Sequence, residues 1–257
     1  MKIGSAMKHA VIFVALAIAI TATMDATGYA DFSALILAPL MAILWFLEKF
    51  SRAEIGLKLG RPGDYGLAVL YPLVVVGAAV GIAAMAGEVQ VADVDWPKAA
   101  KNMALLTFAT VIGAMITEEG FFRGALWASF KKGGLNNTQV LLWSSLVFGL
   151  WHLAFVTLAE GYELAPAFVP IFMLNATLLG AVWGTLRMLS GSVVVASVSH
   201  GVWNGIVYVF FGASSTPGVL GIPEGALYGP ETGIVGLALN MAFLLYLLRL
   251  WKKGSGG

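Results

Sequence analysis

The chain has 257 residues, 59% of them hydrophobic and 11% charged, with a mean hydropathy of +0.87 and a formal net charge of +1. A soluble domain of this size would carry about a quarter of its residues as charges, so the composition describes a polytopic membrane protein, and its near-neutral balance offers nothing to a nucleic-acid partner. The absence of cysteine excludes disulfides, thiolate metal sites and a cysteine nucleophile.

A membrane span needs about 20 predominantly apolar residues. Eight such segments follow one another, over 8–28, 30–47, 65–87, 102–128, 138–158, 167–186, 192–211 and 233–250. If they alternate in direction, Lys2, Lys8, Lys49, Arg52, Lys58, Arg61, Lys131, Lys132, Arg187, Arg249, Lys252 and Lys253 share one side, which is 12 of the 15 basic residues. Lys98 and Lys101 fall opposite, together with the acids Asp25, Asp31, Glu88, Asp93, Asp95, Glu160, Glu163, Glu224 and Glu231. The positive-inside rule then makes both termini cytoplasmic. The expected fold is an all-α membrane bundle of about eight helices, one domain over residues 1–253 with a motif core at 102–211. Gly254–Gly257 reads as a vector-derived tail.

The first segment reads as a retained helix rather than a signal peptide, because no clear small-x-small site precedes Asp25. Gly60, Pro62 and Gly63 break the linker between the second and third spans. The loop from Gly212 to Gly233, with Pro217, Pro223 and Pro230, is a cap that could also gate a cavity. Gly77-Ala78-Ala79 and Gly180-Ala181 read as close helix contacts, and Asn175 and Asn240 as packing glue.

The fourth segment carries Thr117-Glu118-Glu119-Gly120-Phe121-Phe122-Arg123-Gly124. An ionisable group at bilayer depth costs several kcal/mol unless paired or wetted, which makes three together a functional-site hypothesis. On an α-helix Glu119 and Arg123 stand four apart, acid before base, the favourable order for a structural ion pair. Glu118 is rotated by roughly 100° from Glu119 and is left over. A spare carboxylate in a low-dielectric cavity suits proton abstraction. The fifth segment contributes Phe148-Gly149-Leu150-Trp151-His152 and the seventh Ser199-His200-Gly201-Val202-Trp203-Asn204. At ~1.5 Å of rise per residue, Glu118, His152, His200 and Asn204 all lie ~13–21 Å from the basic side, one level of the bilayer on three helices.

Together these groups form an acyl-transfer set. Glu118 and His152 hold and deprotonate a water, while His200 and Asn204 donate to a developing oxyanion. Phe148, Trp151 and Trp203 read as cavity wall. Zinc held by Glu118, His152 and His200 is the second choice, because no HExxH is present; otherwise no cofactor is expected.

The pattern Glu118-Glu119-x-x-x-Arg123, Phe148-x-x-x-His152 and His200-x-x-x-Asn204 resembles the three motifs of the type II CAAX prenyl endopeptidase family, also called CPBP or ABI, over about residues 117–205. The resemblance implies an eight-helix membrane fold, Glu118 as general base, His152 as a water-orienting residue, His200 and Asn204 as the oxyanion site, and Glu119 and Arg123 as its support. It further implies an intramembrane endopeptidase in the cell membrane, cutting near the C-terminus of a membrane-associated peptide, either lipid-modified, as a prenylated CaaX peptide is, or simply membrane-embedded. Access is expected from the cytoplasmic side. Two other readings compete: a non-catalytic peptide-binding protein of immunity or scaffold type, and a proton-coupled transporter. The transporter reading lacks paired, interrupted halves.

Overall fold

The computed structural model describes residues 4–91, 93–160, 162, 164–213, 216–222 and 227–255. Lys2, Glu163, Pro223, Glu224 and the last two residues of the tail lie outside them. Helix accounts for 78% of the structure and the β-structure is one short antiparallel pair, β1 (Gly212–Ala213) and β2 (Thr216–Pro217). The all-α expectation holds. Among the described residues eight helical stretches are long and apolar enough to cross a membrane, and the protein is a multi-pass membrane protein.

The helices are α1 (Ser5–Ala26), α2 (Ala30–Ser33), α3 (Leu37–Glu48), α4 (Arg52–Ile55), α5 (Pro62–Met85), α6 (Trp96–Ile116), α7 (Leu126–Lys132), α8 (Asn137–Leu158), α9 (Val169–Ser190), α10 (Val193–Phe210) and α11 (Ile234–Ser255). α2 and α3 make one span, joined by a 3-10 turn over Ala34–Ile36. Local chemistry sets several starts. Asn136 and Gln139 form a reciprocal capping box ahead of α8; Asp95 and Ser192 accept backbone N–H groups at the heads of α6 and α10; Pro62 stands in the first turn of α5. Each satisfies, or does not need, a donor that a helix start leaves over.

One end of the bundle is tied shut. Glu48, at the end of α3, binds His9 of α1 at 2.6 Å and Lys132 of α7 at 2.9 Å. Arg187 was expected as a loop charge beyond the sixth span. Instead it lies within α9, 8% exposed, with Nη2 donating to the Glu54 carbonyl at 3.1 Å and Nε to the Arg123 carbonyl at 3.3 Å. Those orphan carbonyls supply what a buried guanidinium needs. Gly56 ends α4 at φ +86°, and a Cβ there would collide with the Arg187 guanidinium, so both backbone and space require glycine.

α5, α9 and α11 share a polar chain. Tyr71 donates to Asn240 Oδ1 at 2.6 Å, Asn240 Nδ2 to Asn175 Oδ1 at 3.1 Å and to the Pro230 carbonyl at 3.1 Å, and Asn175 Nδ2 to the Glu231 carbonyl at 2.8 Å. The two asparagines are indeed interhelical glue, and they also pin the segment before α11 to the bundle. Gly180 packs tightly, its Cβ position 3.1 Å from Ser145 Cα; in the Gly77-Ala78-Ala79 run it is Ala79, fully buried, that packs inside, while Gly77 meets nothing within 4 Å.

α6 is the outlying span. Its broad face, including Phe108 at 67% exposure, looks outward to where lipid lies, and it packs chiefly on α10. The seam is built on Gly201 and Gly205. A Cβ at Gly201 would stand 2.7 Å from the Thr107 carbonyl, and one at Gly205 would stand 2.9 Å from the Met103 carbonyl and overlap Thr107 Oγ1. Small residues four apart let two helices approach in lipid, where packing replaces the hydrophobic effect. Gly205→Ala should therefore force α6 off α10 and destabilise the protein by about 1–3 kcal/mol. Because α6 leads into Glu118 while α10 carries His200 and Asn204, the rate of any shared chemistry should fall by about 10–100-fold. Gly113→Ala, which meets nothing within 4 Å, is the control; equal effects of the two substitutions on Tm and rate would show that the seam does not set the spacing.

Candidate active site

The fourth apolar segment breaks where its charges begin. At the end of α6 the Thr117 N–H and hydroxyl both reach the Gly113 carbonyl, at 3.0 and 2.8 Å. Thr117 then leaves helical geometry (φ −112°, ψ −98°), and Glu119–Ala125 continues as a seven-residue π-helix before α7. A continuous α-helix through 102–128 was the expectation. The wider helix is rare and recurs at functional sites. Glycine permits it here: a Cβ on Gly120 would lie 2.5 Å from both the Met115 carbonyl and the Met41 sulfur.

The predicted ion pair is present. Arg123 Nη1 lies 3.2 Å from Glu119 Oε1, both side chains having 0% exposure. The contact is one of charge rather than a hydrogen bond, since the guanidinium nitrogens have no hydrogen-bond partner. Aromatic faces supply the rest of its surroundings. The Arg123 Cζ lies 4.2 Å from the centroid of Phe148, 5.6 Å from that of Trp183 and 5.9 Å from that of Phe122, where ring quadrupoles attract a cation strongly once water is gone. Phe148, read from the sequence as cavity wall, thus also presents its ring to the guanidinium.

Glu119 has a second partner. His200 Nδ1 lies 3.1 Å from the same Oε1, and the His200 ring stacks on Trp183 with centroids 3.8 Å apart and planes 12° from parallel. In His152, Nδ1 faces the Phe148 carbonyl at 2.9 Å, and the ring sits edge-on to Phe148 and Trp151 at 4.5 and 4.7 Å. A carbonyl only accepts, so His152 Nδ1 carries the proton and Nε2 presents a lone pair in the neutral ring. The Glu119 carboxylate beside His200 Nδ1 likewise accepts a proton held on that nitrogen. Both imidazoles are thus held by Nδ1, leaving Nε2 for another partner.

Glu118, His152, His200 and Asn204 all line one cavity of about 310 Å³, whose wall includes Phe148, Trp151, Phe172 and Trp183. Glu119 is absent from that wall. The two adjacent glutamates therefore divide as the spacing foretold: Glu119 buried and doubly engaged, Glu118 half-buried and facing the cavity. Three helical elements, the α6/π junction, α8 and α10, bring the four predicted residues together. Among the described residues no three His, Asp or Glu side chains are grouped so as to hold a metal ion, so the proposed zinc set of Glu118, His152 and His200 is not assembled as ligands.

Sequence reasoning missed part of the wall. Asp25, Asp31, Tyr162, Gly212 and Glu231 also line the cavity. They come from the end of α1, from α2, from β1 and from the segments preceding α9 and α11, at the end opposite the basic loops. Asp31, at the rim, is exposed. Access was expected from the basic side, whereas the lining residues nearest a span end lie at the opposite one. The available signal was the run of acids at the non-basic span ends, which topology alone places near the membrane surface and not inside a chamber. Trp203 was expected to be wall; its Nε1 instead donates to Glu231 Oε1 at 2.7 Å.

Residues 100–206 match the family profile described as Type II CAAX prenyl endopeptidase Rce1-like. That span holds every one of the motif residues, from Glu118 to Asn204. No curated protein matches the chain significantly.

Proposed function

We propose that this chain, which carries a type II CAAX prenyl endopeptidase domain over residues 100–206, hydrolyses a peptide bond near the C-terminus of a membrane-associated, prenylated or otherwise lipid-modified peptide, in the cell membrane and with both termini cytoplasmic. The observation that carries this reading is the spare carboxylate of Glu118 on the wall of the same buried cavity as His152, His200 and Asn204. In the proposed reaction Glu118 takes a proton from a water whose other hydrogen is accepted by His152 Nε2, and the hydroxide adds to the scissile carbonyl. His200 and Asn204 Nδ2 donate to the resulting oxyanion, preorganised as such donors must be. Glu118 then delivers its proton to the departing amine as the C–N bond breaks.

For His200 to donate from Nε2 while Nδ1–H is held by Glu119, the ring carries both protons.

The test is cleavage of a farnesylated CaaX peptide and of a hydrophobic peptide library by purified protein in detergent, with products identified by mass. Cuts near the C-terminus that persist in chelator, on protein without bound metal, are the expected result. Activity lost to chelator and restored by zinc would replace the glutamate–water mechanism with a metal one, and no cleavage of any peptide would leave the domain without the proposed activity.

A further inference from the structure

The cavity has a charge pattern that water activation does not require. Among the described residues four carboxylates line it, Asp25, Asp31, Glu118 and Glu231, and no lysine or arginine does. Asp25 is the most telling. It is 2% exposed, lies at the end of α1 against Ser33, and its Oδ1 has no hydrogen-bond partner. A buried carboxylate oxygen without a donor carries a large desolvation cost, so such an atom on a cavity wall points to a ligand that supplies the donor. Glu231, on the wall of the same cavity, is held in place: Trp203 Nε1 donates to its carboxylate, and Asn175 holds its carbonyl. This is the fixed, second-layer support that recognition sites show.

Resting on the protease reading above, we infer that this end of the cavity is a subsite for a cationic side chain, and that the enzyme selects peptides carrying lysine or arginine close to the bond it cuts, with Asp25, Asp31 and Glu231 as the recognising residues. The stem of such a side chain is apolar and its head charged, which matches a passage walled by Phe155 and Phe172 and flanked by acids. A free metal ion fits less well, since among the described residues no three acids are grouped to hold one. A peptide ending in a bare carboxylate near the cut would meet four carboxylates with only the proposed His200 imidazolium against them, so a basic side chain among the C-terminal residues offsets that repulsion.

The experiment uses fluorescein-labelled hydrophobic peptides identical except for lysine, norleucine or glutamate at each position flanking the cut. Binding is read by polarisation on the full-length Glu118→Gln protein in detergent, and cleavage on wild type. At one position lysine should bind about tenfold more tightly than norleucine, with glutamate weakest. Asp25→Asn and Glu231→Gln, which keep shape and hydrogen bonding, should bring the lysine-to-norleucine ratio towards one in both binding and kcat/KM. Equal binding of all three peptides at every position overturns the subsite, as does a preference that survives both substitutions combined in protein of unchanged Tm. Cleavage without preference sinks the subsite and leaves the protease reading standing. Lysine preference in binding with no cleavage of any peptide by wild type keeps the subsite and sinks the protease.

Discussion

Glu118→Gln is expected to lower kcat by about 10²–10⁴-fold, the range a positioned general base supplies, with peptide binding and Tm retained. Glu118 is half-buried at the junction of α6 with the π-helix and lines the cavity. Glutamine keeps its size and its capacity for hydrogen bonds but has no basic oxygen at neutral pH. The neighbouring change, Glu119→Gln, should behave differently. Glu119 is buried under Arg123 and His200, so its loss should lower stability as well as rate, because two partners then lack a counter-charge. Equal turnover by wild type and Glu118→Gln, measured on the same cleaved peptide, would remove Glu118 from the chemistry and reopen the binding-protein reading.

The second large effect concerns the pair itself. Arg123→Met leaves Glu119 at 0% exposure with only His200 to share its charge, and breaking a buried pair from one side costs about 3–5 kcal/mol. Combining it with Glu119→Leu removes both charges, and the double variant should be less damaged than the two single losses added together, with a coupling of about 1–3 kcal/mol. Phe148→Leu should lower stability further, since it removes the ring lying 4.2 Å from the guanidinium, a contact worth about 2 kcal/mol when desolvated. Equilibrium unfolding in detergent measures all of these. Strict additivity of Glu119→Leu and Arg123→Met would show that the two charges do not hold each other.

Much of this was legible in the chain itself. Span length and hydropathy identified eight crossings because the bilayer imposes one thickness on each of them; the observed helices differ mainly at their ends, as Trp96–Ile116 does from the expected start at 102. Spacing identified the Glu119–Arg123 pair, because neighbours four apart on a helix meet whatever surrounds them. It could not identify His200 as the third member, 81 residues from Glu119, since depth in the bilayer follows from rise per residue but the rotation of one helix against another does not. The same gap hid Asp25 and Glu231. Their positions at span ends are plain in the sequence, while their turning inward depends on where α1, α10 and the segment before α11 pack. Arg187 was misplaced for a related reason: a guanidinium near a span end reads as a loop charge until carbonyls such as those of Arg123 and Glu54 are seen waiting for it. The glycines of the π-helix were visible, yet nothing in glycine content alone distinguishes a widened turn from a close contact.

The π-helix also ties the reaction to the length of the chain. Its hydrogen bonds span five residues where an α-helix spans four, so the stretch from Glu119 to Ala125 stores one residue of surplus contour. Deleting a single residue there, Gly120 for instance, would let an ordinary helix run straight from α6 into α7 with no gap in its hydrogen bonding. The surplus residue sets the angle at which Glu118 and Glu119 stand to Arg123 and to the imidazoles, so its removal would disturb both the base and the buried pair. The spans would keep their length and hydropathy all the same: activity here hangs on a register that hydrophobicity does not police.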